Sequence, residues 1–392
     1  MKPLGRHRDS GRLKDRKISF CDTTLRDGEQ ACGVIFDKNS KIEIAKRLDQ
    51  LGIDCIDVGF PAISSSERAA IKSITSLGLN ARIVACCRPI KEEIDQALEC
   101  NVDGIFTFVP TSTIQMKAKF GGADREIRNK LKRKAKEAVE YAKSRELYVG
   151  FGAEDATRTE LDYLLEVFDL VKKAGADLIA PADTVGIMTP ELMKSLTEII
   201  KKEIDIFLAM HCHNDYGLAV ANTIAGVRGG ADQVQGTING IGERAGNAAI
   251  DELAVVLDQH YKCKTGIKHD HLTNISNLVS SYSGYDNSPL KPIVGQNAFS
   301  HESGIHVSSV LKDPSSYEPF PPSFVGNQRS LFVGKHSGKS ILKHILNMNG
   351  IEPTNPELET LLIEIKYMSE ISKSHIEFDK VIEIFHRLHA TN

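Results

Sequence analysis

Short runs rich in β-branched and apolar residues recur eight times, and each is followed by a stretch with helical spacing. The runs are "KISFCD" (17–22), "IDCIDVGF" (53–60), "ARIVACC" (81–87), "GIFTFVP" (104–110), "LYVGFGAED" (147–155), "LIAPADT" (178–184), "FLAMHCHN" (207–214) and "QVQGTING" (233–240). Between them lie segments such as "NSKIEIAKRLDQLG" and "RTELDYLLEVFDLVKKAGA". Their apolar residues return every three or four positions, as one helix face requires. Eight strand–helix units in about 250 residues is the rhythm of a closed (β/α)8 barrel. An open doubly wound sheet would place a glycine-rich phosphate turn after the first strand; "TTLRDGEQ" stands there instead, with no GxGxxG. The expected fold class is therefore α/β, a (β/α)8 TIM barrel.

After about residue 280 the texture changes to a stretch rich in Ser, Gly, Pro and His, and helical patterns return with "KSILKHILNMNG". The expected division is a flexible basic tail over 1–16, a barrel over 17–280, and a linker with a small, mostly helical region over 281–392.

Polar residues gather where the runs end. Asp22, Arg26 and Asp27 follow the first, Glu154 and Asp155 close the fifth, and Asp183 and Thr184 close the sixth. His211 and His213 end the seventh, and Glu243, Arg244 and Asn247 follow the eighth. In a barrel these ends meet at the C-terminal mouth, where catalytic groups are placed. Their convergence points to an enzyme.

Composition excludes other classes. The chain has 392 residues, 41% hydrophobic and 26% charged, with a formal net charge of −3. Nothing there suggests the basic surface that nucleic acid needs, and no apolar run approaches the roughly 20 residues of a membrane helix. The opening "MKPLGRHRDSGRLKDRK" has no apolar core and does not read as a secretory signal. Eight scattered cysteines without a CxxC pair suggest the reduced thiols of a cytoplasmic protein.

Residues two apart on a strand share a face, so His211 and His213 point together and Cys212 points away into packing. Two imidazoles with a carboxylate and an amide oxygen suit a divalent ion such as Zn²⁺, Mn²⁺ or Mg²⁺, which polarises a bound carbonyl. Spacing alone leaves a second reading, two histidines that only hydrogen-bond in the mouth. Arg26 beside Asp27 either stabilises an oxyanion or forms a structural ion pair. Glu154 is a candidate base, and Asp155 beside it is equally available by type. "HESGIH" puts His301 and His306 in a loop, where either can serve acid–base chemistry near neutral pH. "VGKHSGKS" lacks the spacing of a phosphate loop.

Taken together, "DTTLRDGEQ", "HCHNDYGLAVANT", "GTINGIGERAGN" and "HESGIHV" resemble the acyl-CoA:2-oxoacid condensing family, the DRE-TIM metallolyases that include homocitrate, 2-isopropylmalate and citramalate synthases. The resemblance runs from about residue 17 to the C-terminus. It implies a Claisen-type condensation of acetyl-CoA with a 2-oxoacid at a divalent ion, then hydrolysis that releases CoA. It implies Asp27, His211, His213 and Asn247 as metal ligands and Arg26 as the group steadying the keto oxygen. Glu154 and Thr184 become substrate-site residues, Glu154 with a part in proton transfer. His306 and Tyr317, in "SYEPFPP", become catalytic residues. In this family the region after the barrel crosses to a partner subunit, which implies a homodimer with shared sites.

Within the family, "CCRPIKEEIDQALECNVDGI", "SFVGNQRSLFVGKHSG", "GIHV" and Gln115 look closest to nitrogen-fixation type homocitrate synthases, which use 2-oxoglutarate. A short 2-isopropylmalate or citramalate synthase without the leucine-sensing domain is the alternative, and a lyase on the same scaffold a more distant one. Two positions depart from pattern. Gly150 stands where lysine-pathway homocitrate synthases carry an arginine for the distal carboxylate, so either another cation serves, Arg88 or Lys117 being at hand, or the substrate is not 2-oxoglutarate. Asp57 stands in "DVG" where "EVG" is usual.

Overall fold

A computed structural model describes residues 13–390. They form two compact units, divided between Asn287 and Ser288.

The first unit is the expected barrel. Its eight strands are β1 (Ser19–Asp22), β2 (Cys55–Asp57), β3 (Arg82–Cys87), β4 (Gly104–Pro110), β5 (Tyr148–Glu154), β6 (Leu178–Asp183), β7 (Phe207–Cys212) and β8 (Gln233–Gly236). They pair in sequence order, all parallel, and β8 returns to β1 with Ser19 opposite Gln233 and Asp22 opposite Gly236. Closure leaves no free edge and places every strand's C-terminal end on one rim.

The ring of helices is α1 (Lys38–Leu51), α2 (Ser65–Thr75), α3 (Lys91–Leu98), α4 (Thr113–Phe120), α5 (Arg125–Ser144), α6 (Leu161–Lys173), α7 (Pro190–Glu203), α8 (Ala219–Gly229) and α9 (Ile250–Gln259). Several starts are fixed by side chains that accept an orphan backbone N–H: Asp37 for α1, Ser64 for α2, Ser112 for α4 and Asp124 for α5. Residues such as Phe20, Ile56, Ile105, Phe151, Ile179, Leu208 and Val234 are wholly buried. Inside the barrel, Leu178, Ala180 and Ala209 pack with Phe106 and Tyr148.

Two expected boundaries move. Residues 1–12 of the expected tail lie outside the described residues, but Leu13 is buried and Arg16 is bound to the barrel by four hydrogen bonds. A cation with that many carbonyl partners is anchored, so the chain is tied down before residue 17. At the other end the first unit runs past residue 280, because α10 (Leu272–Ser283) buries Leu272, Ile275 and Val279.

The second unit is mostly helical, as expected. It contains a two-stranded parallel ladder of β9 (Ser300–His301) and β10 (Ser330–Leu331). Its helices are α11 (Gly304–Lys312), α12 (Lys339–Met348), α13 (Asn355–Ser372) and α14 (Phe378–Ala390). They close over a core that includes Val307, Ile341, Ile345, Leu361, Ile365, Val381 and Ile384. No described helix is long and apolar enough to cross a membrane.

Candidate active site

The rim gathers the polar residues into a cavity of about 480 Å³. Arg26, Asp27, Glu154, Thr184, His211, His213, Glu243 and Arg244 all line it.

His211 is the next-to-last residue of β7 and His213 follows the strand, both facing the cavity, while Cys212 between them is buried and its thiol is pushed up to about 12 by that burial. The two Nε2 atoms lie 3.3 Å apart, and Asp27 Oδ2 is 3.3 Å from one and 3.7 Å from the other. Three donor atoms thus converge within 4.8 Å of one another. Asn247 joins them through the main chain. It forms an antiparallel bridge with His213, and the residues on either side continue it: the Asn214 N–H donates to Gly246 and the Ala248 N–H to Cys212.

Charge and unmet bonds describe the same point. Burial pushes the Asp27 carboxyl up, but Arg26 and the two histidines outweigh it and hold the group well below its ordinary range. Burial, helped by His211, lowers His213 to about 4, so its ring is neutral at pH 7 with a lone pair to give. Asp27 Oδ1 and Asn247 Oδ1 are buried without a hydrogen-bond partner. Unpaired buried oxygens are costly, and a cation satisfies both. Gly242 leaves room for this arrangement: a Cβ there would stand 2.2 Å from Asn247 Nδ2 and 3.1 Å from Asp27 Oδ1. The donor set fits a divalent ion of the N/O-preferring kind.

Arg26 is clamped beside the set, Nε donating to Asp57 at 2.8 Å and Nη1 to Asp27 at 2.9 Å. The shorter Asp57 therefore still reaches the guanidinium. Glu154 and Asp155, alike by type, separate in space. Asp155 is wholly buried in a left-handed turn and takes hydrogen bonds from Ser112 and Arg158. Glu154 faces the cavity and receives Lys119 Nζ at 2.6 Å on both oxygens. Thr184 Oγ1 accepts the Asp155 N–H at 2.8 Å, and its carbonyl accepts Arg244 Nη2 at 2.6 Å.

Arg88 departs from expectation. It does not line the cavity, and its guanidinium is turned to Glu93, the first-turn acid of the helix that follows β3. Lys117 is exposed and also outside the lining, whereas Lys119 is in it. The spacing from Gln115 to Lys119 puts both on one face of α4, a signal that was available in the sequence.

His306 and Tyr317 belong to the second unit, where their rings stack with centroids 4.1 Å apart. Next to Tyr317, buried Glu318 is gripped by Arg329 at 2.6 and 2.7 Å and approached by His301 at 3.4 Å. That clamp fixes the loop carrying the tyrosine.

The HMGL-like family profile matches residues 17–279, and the homocitrate synthase post-HMGL domain-like profile matches residues 293–373. The chain is 49% identical to 2-isopropylmalate synthase of Methanocaldococcus jannaschii, over 87% of this chain and 65% of that one. It is 44% identical to homocitrate synthase AksA of Methanothermobacter thermautotrophicus, over 91% of this chain and 90% of that one. A crystal structure of hydroxymethylglutaryl-CoA lyase from Pseudomonas aeruginosa shares the fold, with a TM-score of 0.62 at 19% identity, over 70% of this chain and 96% of that one. With both profiles in register on its two units and synthases among its relatives, the chain belongs to the HMGL-like family, among the DRE-TIM acyl-CoA:2-oxoacid condensing proteins.

Proposed function

We propose that this protein condenses acetyl-CoA with a 2-oxoacid and hydrolyses the resulting thioester to release CoA. The observation that carries this is the meeting of Asp27, His211 and His213 beside a clamped Arg26 in one cavity. Asp27, His211, His213 and Asn247 would hold a divalent ion (Mg²⁺, Mn²⁺ or Zn²⁺), which when bound supplies Lewis acidity to the oxoacid's keto group.

The chain's own groups do the rest. A C–H bond of the acetyl methyl breaks, and its electron pair forms the C–C bond to the keto carbon. Glu154 takes that proton or supports its transfer, and Lys119, bonded to both of its oxygens, holds the carboxylate in place. Negative charge moves to the former keto oxygen, where Arg26 is held ready and costs no reorganisation. Thr184 places substrate through its position on the rim. His306, stacked on Tyr317, supplies acid–base chemistry to the site of a second copy in a homodimer, as the resemblance implies. The motifs "SFVGNQRSLFVGKHSG" and "GIHV" point toward 2-oxoglutarate, and so homocitrate, while the relatives include 2-isopropylmalate, homocitrate and citramalate synthases at similar identity. The protein is read as cytoplasmic.

The test uses the purified full chain with acetyl-CoA and a series of 2-oxoacids, following free thiol with and without EDTA. Oxoacid-dependent release that EDTA abolishes and added metal restores is expected. Release with no oxoacid in the series would sink the reaction, and undiminished activity in exhaustively metal-free protein would sink the metal assignment.

A further inference from the structure

The deep part of the cavity has a different character from its rim. Phe106 and Phe108 of β4, Gly152 of β5, and Ala180 and Ala182 of β6 line it, with Phe60 above β2. Phe106 lies one inward position deeper than Phe108 and packs with Leu178, Ala180 and Ala209. It forms the floor.

What seats the ring is a pair of glycines. A Cβ on Gly150 would come within 2.6 Å of Phe106 Cδ2, and one on Gly152 within 2.9 Å of Cε1. The phenyl edge therefore runs along β5 in a notch that only the missing side chains leave open. No side chain can reach the floor from Gly150 while the ring is there. The cations of the lining are each met by a carboxylate: Arg26 by Asp27 and Asp57, Lys119 by Glu154, and Arg244 by Asp215.

We infer that the oxoacid taken here has a short apolar side chain, from methyl to isopropyl, and that Phe106 sets this limit. This rests on the condensation reading above and narrows it away from 2-oxoglutarate. A distal carboxylate would be driven against phenyl and methyl surfaces after losing its water, and such a group is rejected unless a partner receives it. A short apolar side chain meets the same surface favourably.

The experiment measures kcat/KM for thiol release with acetyl-CoA and pyruvate, 2-oxobutyrate, 2-oxoisovalerate or 2-oxoglutarate. One of the first three is expected to lead, with 2-oxoglutarate about 100-fold or more behind. Phe106→Ala opens the notch and should raise 2-oxo-4-methylpentanoate relative to pyruvate by about 10-fold. Phe106→Leu, which keeps most of the packing, should move the ratio the same way by less. Release led by 2-oxoglutarate in the native protein would overturn this inference alone. So would an unchanged ratio of 2-oxo-4-methylpentanoate to pyruvate in both Phe106→Ala and Phe106→Leu. Release with none of the four would overturn the condensation reading, and this inference with it.

Discussion

Asp22 ends β1 wholly buried, with both carboxyl oxygens bonded to Thr24. Burial raises it from 3.8 to about 7, against the pull of those two hydrogen bonds. The sign of the consequence follows from linkage. Below 3.8 the group is protonated in both states and contributes nothing. Between 3.8 and about 7 the unfolded chain gives up the proton and the folded chain keeps it, so stability falls as pH rises through that window. The loss amounts to about 4 kcal/mol at most. Urea midpoints at pH 4, 5.5 and 8 should show the native protein losing stability relative to Asp22→Asn across this range. Parallel curves would mean that Asp22 does not titrate there. The same rim holds Asp27 ionised, because Arg26 and two imidazoles stand against it. Surroundings, not residue type, move these two aspartates in opposite directions.

At the scale of elements, Arg16 shows how a segment outside the barrel secures a helix within it. Its guanidinium donates to the carbonyls of Val227, Gly230 and Ala231 at the C-terminal end of α8, and to Asp232. A cation there answers the helix dipole and the orphan carbonyls together. Arg16→Ala should cost about 2 kcal/mol, read as a Tm lower by roughly 4 °C, with the oxoacid preference unmoved. This anchor was hidden in the sequence, because a basic opening segment looks the same whether solvated or docked. The barrel was legible because its staves are short and regular. "GIFTFVP" matches β4 end to end, and the other seven runs each contain their strand and overshoot it at one end or both, where the chain enters or leaves the ladder. The rim residues were legible for the same reason, since a strand end fixes where its side chain emerges. Phe106 was not. Its position on a strand predicts that it points inward, but only the backbone spacing shows the ring lying over Gly150 and Gly152. Arg88 misled because it follows a strand, yet a competing acid five residues further on, Glu93, captured it.

At the scale of the whole molecule, the metal ligands proposed above lie on the first unit and the His306–Tyr317 stack on the second. If the second unit serves a partner's barrel, two defects in different units complement each other. Arg26→Ala and His306→Ala, each inactive alone, should regain up to about a quarter of native activity once their subunits are exchanged, from the hybrid's one intact site. Subunit exchange confirmed by differently tagged chains, with no activity regained, would show that each chain completes its own site.

The position of the donors in the ring has a consequence for the life of the chain. Asp27 follows β1, the histidines end β7, and Asn247 follows β8, so the set straddles the seam where last stave meets first. A nascent chain with six staves made offers Asp27 and none of its companions. On the metal assignment proposed above, the ion would be a late guest, admitted only when synthesis has delivered the final staves and the ring has shut. It could not seed the assembly that creates its berth, and a chelator that removed it would be expected to leave the finished ring standing, read as an unchanged far-UV circular dichroism spectrum.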